Sequence, residues 1–110
     1  MPQAGGLVEA FTRKVIAIIK SIPEGNVCTY GRIAAMAGQP NGARQVTRII
    51  HAMSRKHDLP WHRIVNAKGL ISLPKPSGYE EQKARLQSEA IRFSPQDRID
   101  LKKYLWMGPE

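Results

Sequence analysis

The residues of this chain that could do chemistry are few and stand apart in the sequence. Cys28 is the only cysteine, and there are three histidines. A lone cysteine forms no internal disulfide, and one cysteine with three scattered histidines lacks the ligand spacing of a four-ligand zinc site. Cys28 also has no adjacent histidine or lysine to activate it, and a cysteine so placed is more often simply buried. We therefore expect no cofactor and no bound metal.

The segment LPWHRIV places Trp61 directly before His62 and Arg63. A lone histidine beside an arginine is usually a surface residue or a hydrogen-bonded structural residue. Trp61 cannot be made a usable nucleophile, because the lone pair of its ring nitrogen belongs to the aromatic system. It is either a plain core aromatic or part of a binding site, and its polar neighbours favour the binding site.

The formal charge of the chain is +8, and most of it lies in the middle of the sequence. Between Gly25 and Tyr79 the single acid Asp58 is outnumbered by eight basic residues: Arg32, Arg44, Arg48, Arg55, Lys56, Arg63, Lys68 and Lys75. This segregation predicts a face that binds a polyanion, against the alternative of a solvated basic surface. An anionic membrane is a weaker partner, because no segment pairs the charge with a continuous apolar face.

One domain over residues 1–110 is expected, because this length and a 42% hydrophobic content suit a single modest core. The sequence contains no apolar run of about 18 residues, and its N-terminus lacks the basic-then-apolar order of a signal peptide. We therefore expect a cytoplasmic protein that does not associate with a membrane.

Helical signals surround a short turn in the first half of the chain. Apolar residues recur at helical spacing from Val8 onward, and Pro23 ends this first helix. Thr29 is a suitable N-cap for a second helix, TYGRIAAMAG, and Asn41 for a third, GARQVTRIIHAMSR. The residues QPNG between them predict a turn. The outline is that of a helix-turn-helix, whose second helix meets DNA.

The third helix has two faces of different character. One stripe is apolar and predicts the core face: Val46, Ile49, Ile50 and Met53. The opposite stripe is basic: Arg44, Arg48, His51 and Arg55. Such a stripe is more often merely exposed, but the small residues Gly42 and Ala43 leave the helix N-terminus free to approach a phosphate closely. We therefore predict nucleic-acid contact along this helix.

The second half of the chain is expected to contain a small β element. Ile64–Val65 and Leu70–Ile71 flank a polar, glycine-containing turn and predict a β-hairpin that could serve as a wing. The expected fold class is therefore mainly α with a small β-hairpin, a winged helix-turn-helix.

Two further helices are predicted towards the C-terminus. After a stiff loop from Pro74 to Gly78, a helix runs from about Tyr79 to Ala90. Ser94 followed by Pro95 predicts the start of a last short helix.

Three stretches carry a resemblance to a known family: VCTYGRIAAMAG, NGARQV and PWHRIV. In this order and approximate spacing, the chain resembles the DNA-binding, active-site domain of the O6-alkylguanine-DNA alkyltransferases, and more closely their alkyltransferase-like relatives. The resemblance extends from Phe11 to about Ala90. It implies the DNA-binding fold of that domain and recognition of O6-alkylguanine in duplex DNA.

PWHRIV is the specific motif, and at this point the chain departs from the enzymes. They have Pro-Cys-His-Arg, with the cysteine as alkyl acceptor, so the resemblance implies that Trp61 has replaced the nucleophile and that the chain is not an enzyme. His62 matches the family's general base and Glu89 the glutamate that orients it, with Arg63 as further support of the site. Without a thiol to deprotonate, we expect His62 and Glu89 to act structurally.

A second departure concerns the loop before Pro60. The segment SRKHDL is shorter than in the enzymes and has no clear match to their hinge asparagine. From the sequence, restoring a cysteine at position 61 is therefore expected to give little or no alkyl transfer.

The resemblance implies that the lesion-binding residues remain. Tyr30 matches the tyrosine that presses on the target phosphate and helps rotate the nucleotide out, and Arg44 matches the arginine that fills the gap in the stack. The alternatives are a packing role for Tyr30 and a solvated charge for Arg44. The expected lesion pocket comprises Tyr30, Trp61, His62, Ser77 and Gly78. The expected contacts with DNA, through its minor groove, come from Arg32, Gly42, Ala43, Arg44, Gln45, Arg48, Arg55 and Lys68.

These implications predict a non-enzymatic protein that binds O6-alkylguanine in duplex DNA, flips it out and passes the site to nucleotide excision repair. The expected partners are lesion-containing duplex DNA and excision repair proteins, and we expect a monomer at the nucleoid of a bacterial cytoplasm. Two alternatives stay open: a sequence-specific winged-helix transcriptional regulator, and a suicide alkyltransferase with Cys28 as acceptor.

Overall fold

A computed structural model describes residues 4–75 and 78–109, with side chains described from Ala10 onward. Within these residues the order of elements is α1 (Ala4–Ser21), β1 (Cys28–Thr29), α2 (Tyr30–Met36), α3 (Ala43–His57), β2 (Ile64–Val65), α4 (Tyr79–Ser88) and α5 (Leu101–Tyr104). A 3₁₀ turn, Trp61–Arg63, leads directly into β2. The predicted mainly helical class is confirmed. None of the described helices is long and apolar enough to cross a membrane.

The predicted helix-turn-helix consists of α2, a turn and α3. Thr29 caps α2 as predicted, because its hydroxyl accepts a hydrogen bond from the backbone N–H of Arg32 at 3.2 Å. The prediction that Asn41 caps α3 is wrong: Gly42 is the N-cap, and no side chain caps this helix. The backbone closes the turn instead, with the N–H of Gly42 donating to the carbonyl of Gln39 at 2.8 Å.

The predicted β-hairpin is wrong, and a parallel pair of strands takes its place. β2 pairs with β1 in the register Cys28 with Ile64 and Thr29 with Val65. Both residues of β2 are buried, so this strand needs a partner in the interior, and β1 provides one. Leu70–Ile71 forms no strand. The N–H of Leu70 instead donates to the side-chain oxygen of Asn66 at 3.0 Å, which closes the turn locally.

The short sheet separates two hydrophobic clusters. The first cluster joins α1, α2 and α3 and includes Cys28 and Ile64 of the sheet. The second cluster includes Val65 and gathers residues of α4, α5 and the segment between them. Neighbouring residues of a strand point to opposite faces. One face of the sheet therefore carries the helix-turn-helix, and the other carries residues of α4, α5 and the segment between them. Trp106, which follows α5, returns to the first cluster.

The chain after α4 differs from the prediction in where its helices end and begin. α4 starts at the predicted Tyr79 but ends at Ser88, two residues before the predicted end. The hydroxyl of Ser94 accepts hydrogen bonds from two backbone N–H groups that follow it, yet the chain turns back there and no helix starts. The last helix begins only at Leu101, with Asp100 as its N-cap. The predicted start at Ser94 is wrong because its turn is closed by an antiparallel bridge between the flanking residues.

Candidate nucleic-acid interface

The outer face of α3 is basic and contains no acid. The predicted stripe is exposed along its whole length: Arg44, Arg48, His51 and Arg55. The predicted core stripe faces inward: Val46 is buried, and Ile49, Ile50 and Met53 pack against the first cluster. Within the described part of the chain, no ion pair involves an arginine of α3. These guanidinium groups are therefore available to phosphate oxygens.

Gly42, at the start of α3, has a packing role that the sequence did not indicate. It is buried, and a Cβ atom there would lie 3.0 Å from the carbonyl oxygen of Gln39 and 3.3 Å from the ring of Phe11. Glycine thus lets the turn pack closely against α1. Ala43 is half-buried and Gln45 is exposed. Because no side chain caps α3, the first N–H groups of the helix remain open to an anion.

Tyr30 and Trp61 come together at one small cavity. Its volume is about 40 Å³, and the remaining lining residues are Thr47, Ile50, His51, Leu73 and Gln82. This space holds only a few water molecules, so a purine cannot enter unless lining side chains move. Tyr30 is half-buried as the first residue of α2. Burial raises the pKa of its hydroxyl, and a hydrogen bond with Ser72 opposes the shift.

A wider groove adjoins this cavity. Its volume is about 740 Å³, and its lining shares four residues with that of the cavity: Ile50, His51, Trp61 and Leu73. The rest of the groove is lined by the C-terminal half of α3, the loop that follows it and Arg85 of α4. The shared side chains therefore separate two spaces. The groove has the size of a small-molecule site, so displacing these side chains would make room for an extruded base.

The structure brings His62, Arg63 and Glu89 into one network. The Nε2 atom of His62 lies 2.6 Å from Oε2 of Glu89, and Arg63 donates to the same carboxylate through Nε and Nη2. The backbone N–H of Gly25 donates to Oε1. Burial by itself would raise the pKa of Glu89, but the hydrogen bonds from Arg63, His62 and Gly25 lower it to about 2. Glu89 is therefore a carboxylate at neutral pH, and Nε2 of His62 is the donor.

His62 lies behind the cavity wall, not in it. Its ring is buried, and its Nδ1 atom has no hydrogen-bond partner among the described residues. Of the predicted lesion pocket, Tyr30 and Trp61 line the cavity, and His62 does not. Gly78 has a φ of +82°, and a Cβ atom there would lie 3.0 Å from the side chain of Leu73, next to the cavity. Ser77 lies outside the described residues.

Arg85 holds Trp61 from α4, a contact that the sequence analysis missed. The guanidinium of Arg85 lies over the indole ring, 5.4 Å from its centroid, and pairs with Glu81 at 2.7 Å. A cation over the face of an indole attracts it electrostatically. No signal in the sequence links these residues, which lie in separate segments.

Gln82 is a second missed residue of the site. It is buried in α4 and donates from Nε2 to the backbone carbonyls of His62 at 3.0 Å and Ile64 at 2.8 Å. These bonds hold the backbone that follows Trp61. The stripe Tyr79, Gln82 and Leu86 has helical spacing and is buried, so periodicity could have indicated an inward-facing glutamine.

The remaining two predicted DNA contacts lie outside α3. Arg32 of α2 is half-buried, and its Nη2 donates to the carbonyl of Met107 at 2.9 Å, so the C-terminal segment already occupies part of its guanidinium. Lys68 is exposed in the turn after β2. Among the described residues its ammonium makes no ion pair, so it is free to contact a phosphate.

Comparison with known proteins agrees with this architecture. The family model described as the DNA-binding domain of 6-O-methylguanine DNA methyltransferase matches residues 10–91. The chain is 41% identical over 98 residues to the DNA base-flipping protein of Escherichia coli strain K12, which covers 89% of this chain and 75% of that protein. It is 35% identical over 104 residues to Alkyltransferase-like protein 1 of Schizosaccharomyces pombe, and this alignment covers 90% of this chain and 96% of that protein.

A solved structure is similar along nearly the whole chain. It is the crystal structure of S. pombe Atl1 in complex with damaged DNA containing O6-carboxymethylguanine, with a TM-score of 0.78 and 33% identity over 96% of this chain and 98% of that one. With the family model and the relatives, this likeness agrees with the resemblance seen in the sequence. The chain therefore belongs to the family of 6-O-methylguanine DNA methyltransferase DNA-binding domains, among its alkyltransferase-like members.

Proposed function

We propose that this chain binds O6-alkylguanine in duplex DNA, rotates the damaged nucleotide out of the stack and holds it without removing the alkyl group. The observation that carries the proposal is that Tyr30 and Trp61 line one cavity together with residues of the basic helix α3. Further support comes from a relative named for base flipping and from a similar chain that was crystallised on DNA containing O6-carboxymethylguanine.

In this proposal α3 enters the minor groove, and Arg44 fills the space that the extruded base leaves. Arg44 is exposed in the first turn of α3. A guanidinium can stack on neighbouring bases and also hydrogen-bond the base left without a partner. Tyr30, whose hydroxyl is hydrogen-bonded to Ser72, would press on the phosphate of the rotated nucleotide.

The extruded base would enter where the small cavity and the wide groove meet. Ile50, His51, Trp61 and Leu73 separate the two spaces, and an aromatic surface such as the indole is suited to stack on a flipped base. Arg85 would keep Trp61 in place from the groove side.

The proposal includes that no alkyl group is transferred to the protein. Two residues could be considered as acceptors, and neither has the chemistry for it. Trp61 stands where the resemblance puts the accepting cysteine, and an indole is no substitute for a thiolate. Cys28, the only thiol in the sequence, is fully buried in the first cluster. Burial raises the pKa of this thiol, although the backbone of Thr29 and the charge of Arg32 oppose the shift. A suicide reaction at Cys28 therefore lacks both access and a thiolate.

A protein that binds a lesion without repairing it needs a second pathway. We therefore propose that the held site passes to nucleotide excision repair, and that residues 1–110 act as one domain and as a monomer. Lesion binding would take place at the nucleoid in the cytoplasm, as expected of a bacterial DNA-binding protein.

Two duplexes of identical sequence, one with a single O6-methylguanine, test the proposal. Fluorescence anisotropy should show tighter binding to the damaged duplex, and 2-aminopurine beside the lesion should brighten as the stack opens. Mass spectrometry of the protein after incubation should show no added methyl group. Equal affinity for the two duplexes would favour a sequence-specific regulator, and a methyl adduct would make the chain an enzyme.

A further inference from the structure

The C-terminal part of the molecule contains a basic groove that DNA recognition does not use. It has a volume of about 440 Å³ and lies between the turn after α4 and α5, with a lining that includes Arg92, Phe93, Arg98, Asp100, Lys103 and Tyr104. Arg92, Arg98 and Lys103 are exposed, and the ring of Phe93 is half-buried. The groove thus combines cations with aromatic surface.

Acidic residues lie close in sequence to the cations of this groove, but they form no ion pair with them in the described part of the chain. Asp97 pairs with Lys83 at 2.8 Å, and the side chain of Asp100 caps α5. No ion pair in the described part of the chain engages Arg92 or Arg98. The lining contains three cations, Arg92, Arg98 and Lys103, against the one carboxylate of Asp100, so the groove keeps a net positive charge.

The groove and α3 lie on opposite faces of the short sheet. Tyr104, at the groove, packs in the second cluster with Val65. Val46 of α3 packs in the first cluster with Ile64. Since Ile64 and Val65 point to opposite faces of β2, a duplex bound along α3 would leave the groove accessible. Arg92 and Arg98 are therefore not expected to contact that duplex.

We propose that this groove docks an acidic segment of a partner protein, with a large apolar side chain as anchor, while α3 holds DNA. Carboxylates of the segment would pair with Arg92 and Arg98, and the anchor would pack on Phe93. The groove is short, which suits a few side chains better than a nucleic-acid strand that needs a continuous track of cations and aromatic rings. This inference rests on the proposed function, because the groove would be the surface through which the protein passes a bound lesion to repair proteins.

The test uses the full chain labelled with ¹⁵N and a capped peptide in which glutamates flank a central phenylalanine. Adding the peptide should shift the backbone amide signals of residues 92–103 and leave those of α3 unchanged, both in the free protein and with the lesion duplex bound. The same peptide with glutamines in place of glutamates should bind far more weakly. A short single-stranded oligonucleotide should not displace the peptide.

A pair of charge reversals separates docking from DNA binding. Arg92→Glu combined with Arg98→Glu should weaken the peptide about tenfold or more and leave the preference for the damaged over the undamaged duplex intact. Lys14→Glu combined with Lys20→Glu changes the net charge equally on the exposed surface of α1 and should leave peptide binding much closer to that of the unaltered chain. Melting curves establish that each variant is folded.

Three outcomes would overturn the inference. The peptide could shift the signals of α3, which would mean that the recognition face takes any anion. The oligonucleotide could occupy the groove more tightly than the peptide, which would make it a nucleic-acid site. The glutamine peptide could bind equally well, which would remove the role of charge. Failure of lesion binding with peptide docking retained would instead contradict the proposed function alone.

Discussion

The Nε2 atom of His62 lies 2.6 Å from Oε2 of Glu89, the residue that caps the C-terminal end of α4. Arg63 and the N–H of Gly25 hold the same carboxylate. The resemblance seen in the sequence matches this pair to a histidine and a glutamate that prepare a cysteine for attack. Here the pair is kept beside Trp61, where it joins α4, the 3₁₀ turn and the end of α1 into one unit.

This network makes the free energy of unfolding depend on pH in the acid range. The pKa of Glu89 in the folded state is about 2, below its ordinary value of 4.5. The carboxylate therefore stabilises the fold above pH 4.5, and this stabilisation disappears as the pH falls from 4.5 through 2. The total loss should be on the order of 3 kcal/mol. Urea unfolding of the unaltered chain over this pH range measures it.

Glu89→Gln is the matched comparison for that measurement. It should be about 2–4 kcal/mol less stable at neutral pH, because Arg63 then lies in the interior without its carboxylate. Its unfolding free energy should also fall less steeply between pH 4.5 and 2. Parallel curves for the two proteins would mean that Glu89 does not carry the acid sensitivity.

Trp61→Cys puts a thiol beside a histidine that is already oriented. The sequence alone predicts little or no transfer, because the loop before Pro60 is short, the hinge asparagine has no clear counterpart and the match of Glu89 rests only on approximate spacing. With the bond between His62 and Glu89 in place, we expect slow but measurable transfer of a labelled methyl group from a methylguanine duplex. The rate should stay well below that of the enzymes, because the loop before Pro60 is shorter and a reacting carbon must be held to a fraction of an ångström.

The control for this experiment removes the orienting group. Adding Glu89→Gln to the Trp61→Cys protein should lower the transfer rate about tenfold or more, because the histidine loses its fixed orientation. Undetectable transfer by folded Trp61→Cys protein would show that the histidine and glutamate are a structural remnant only. An unchanged rate on adding Glu89→Gln would mean that the pair plays no part in transfer.

Arg44→Ala and Tyr30→Ala should each weaken binding to the damaged duplex. We expect a cost on the order of 1–3 kcal/mol for each change, because Arg44 fills the vacated space and Tyr30 supports the rotated nucleotide. Arg13→Ala, an exposed arginine of α1, serves as the control for loss of one positive charge. The flipping proposal fails if lesion affinity, measured by titration at one salt concentration, is indifferent to both changes.

Binding to undamaged DNA should follow salt concentration. Arg48, Arg55, Lys56 and Lys68 are exposed and make no ion pair in the described part of the chain. Replacing one of them by alanine should lower the slope of log affinity against log salt by about 0.9 if it contacts a phosphate. Lys14→Ala should leave the slope unchanged, and a flat salt response of the unaltered chain would contradict a phosphate-binding role for α3.

The local chemistry of the sequence was sufficient to predict the first three helices and the basic face of α3. Helix periodicity and capping depend on residues a few positions apart, which is why α1, α2 and α3 and the cap at Thr29 could be predicted. The same reasoning separated the stripe of Arg44 and Arg48 from that of Val46. It failed at Asn41 and Ser94, because backbone hydrogen bonds closed those turns in ways that residue preferences do not reveal.

Tertiary packing alone decided the sheet and the surroundings of Trp61. β2 pairs with β1, which lies far away in sequence, and no local pattern distinguishes this pairing from a hairpin with Leu70–Ile71. The contact of Arg85 with Trp61 also depends on how α4 docks against the 3₁₀ turn.

The distribution of charge was also predictable from the sequence in one part of the chain and not in another. The excess of basic residues in the middle of the chain was visible in the sequence because a sum of charges needs no geometry. The basic groove at Arg92 and Arg98 was not visible, because nearby acids balance these residues in the sequence. Only the structure pairs Asp97 with Lys83 and uses Asp100 as a helix cap. Electrostatic interactions depend on distance in space, and the fold sets those distances.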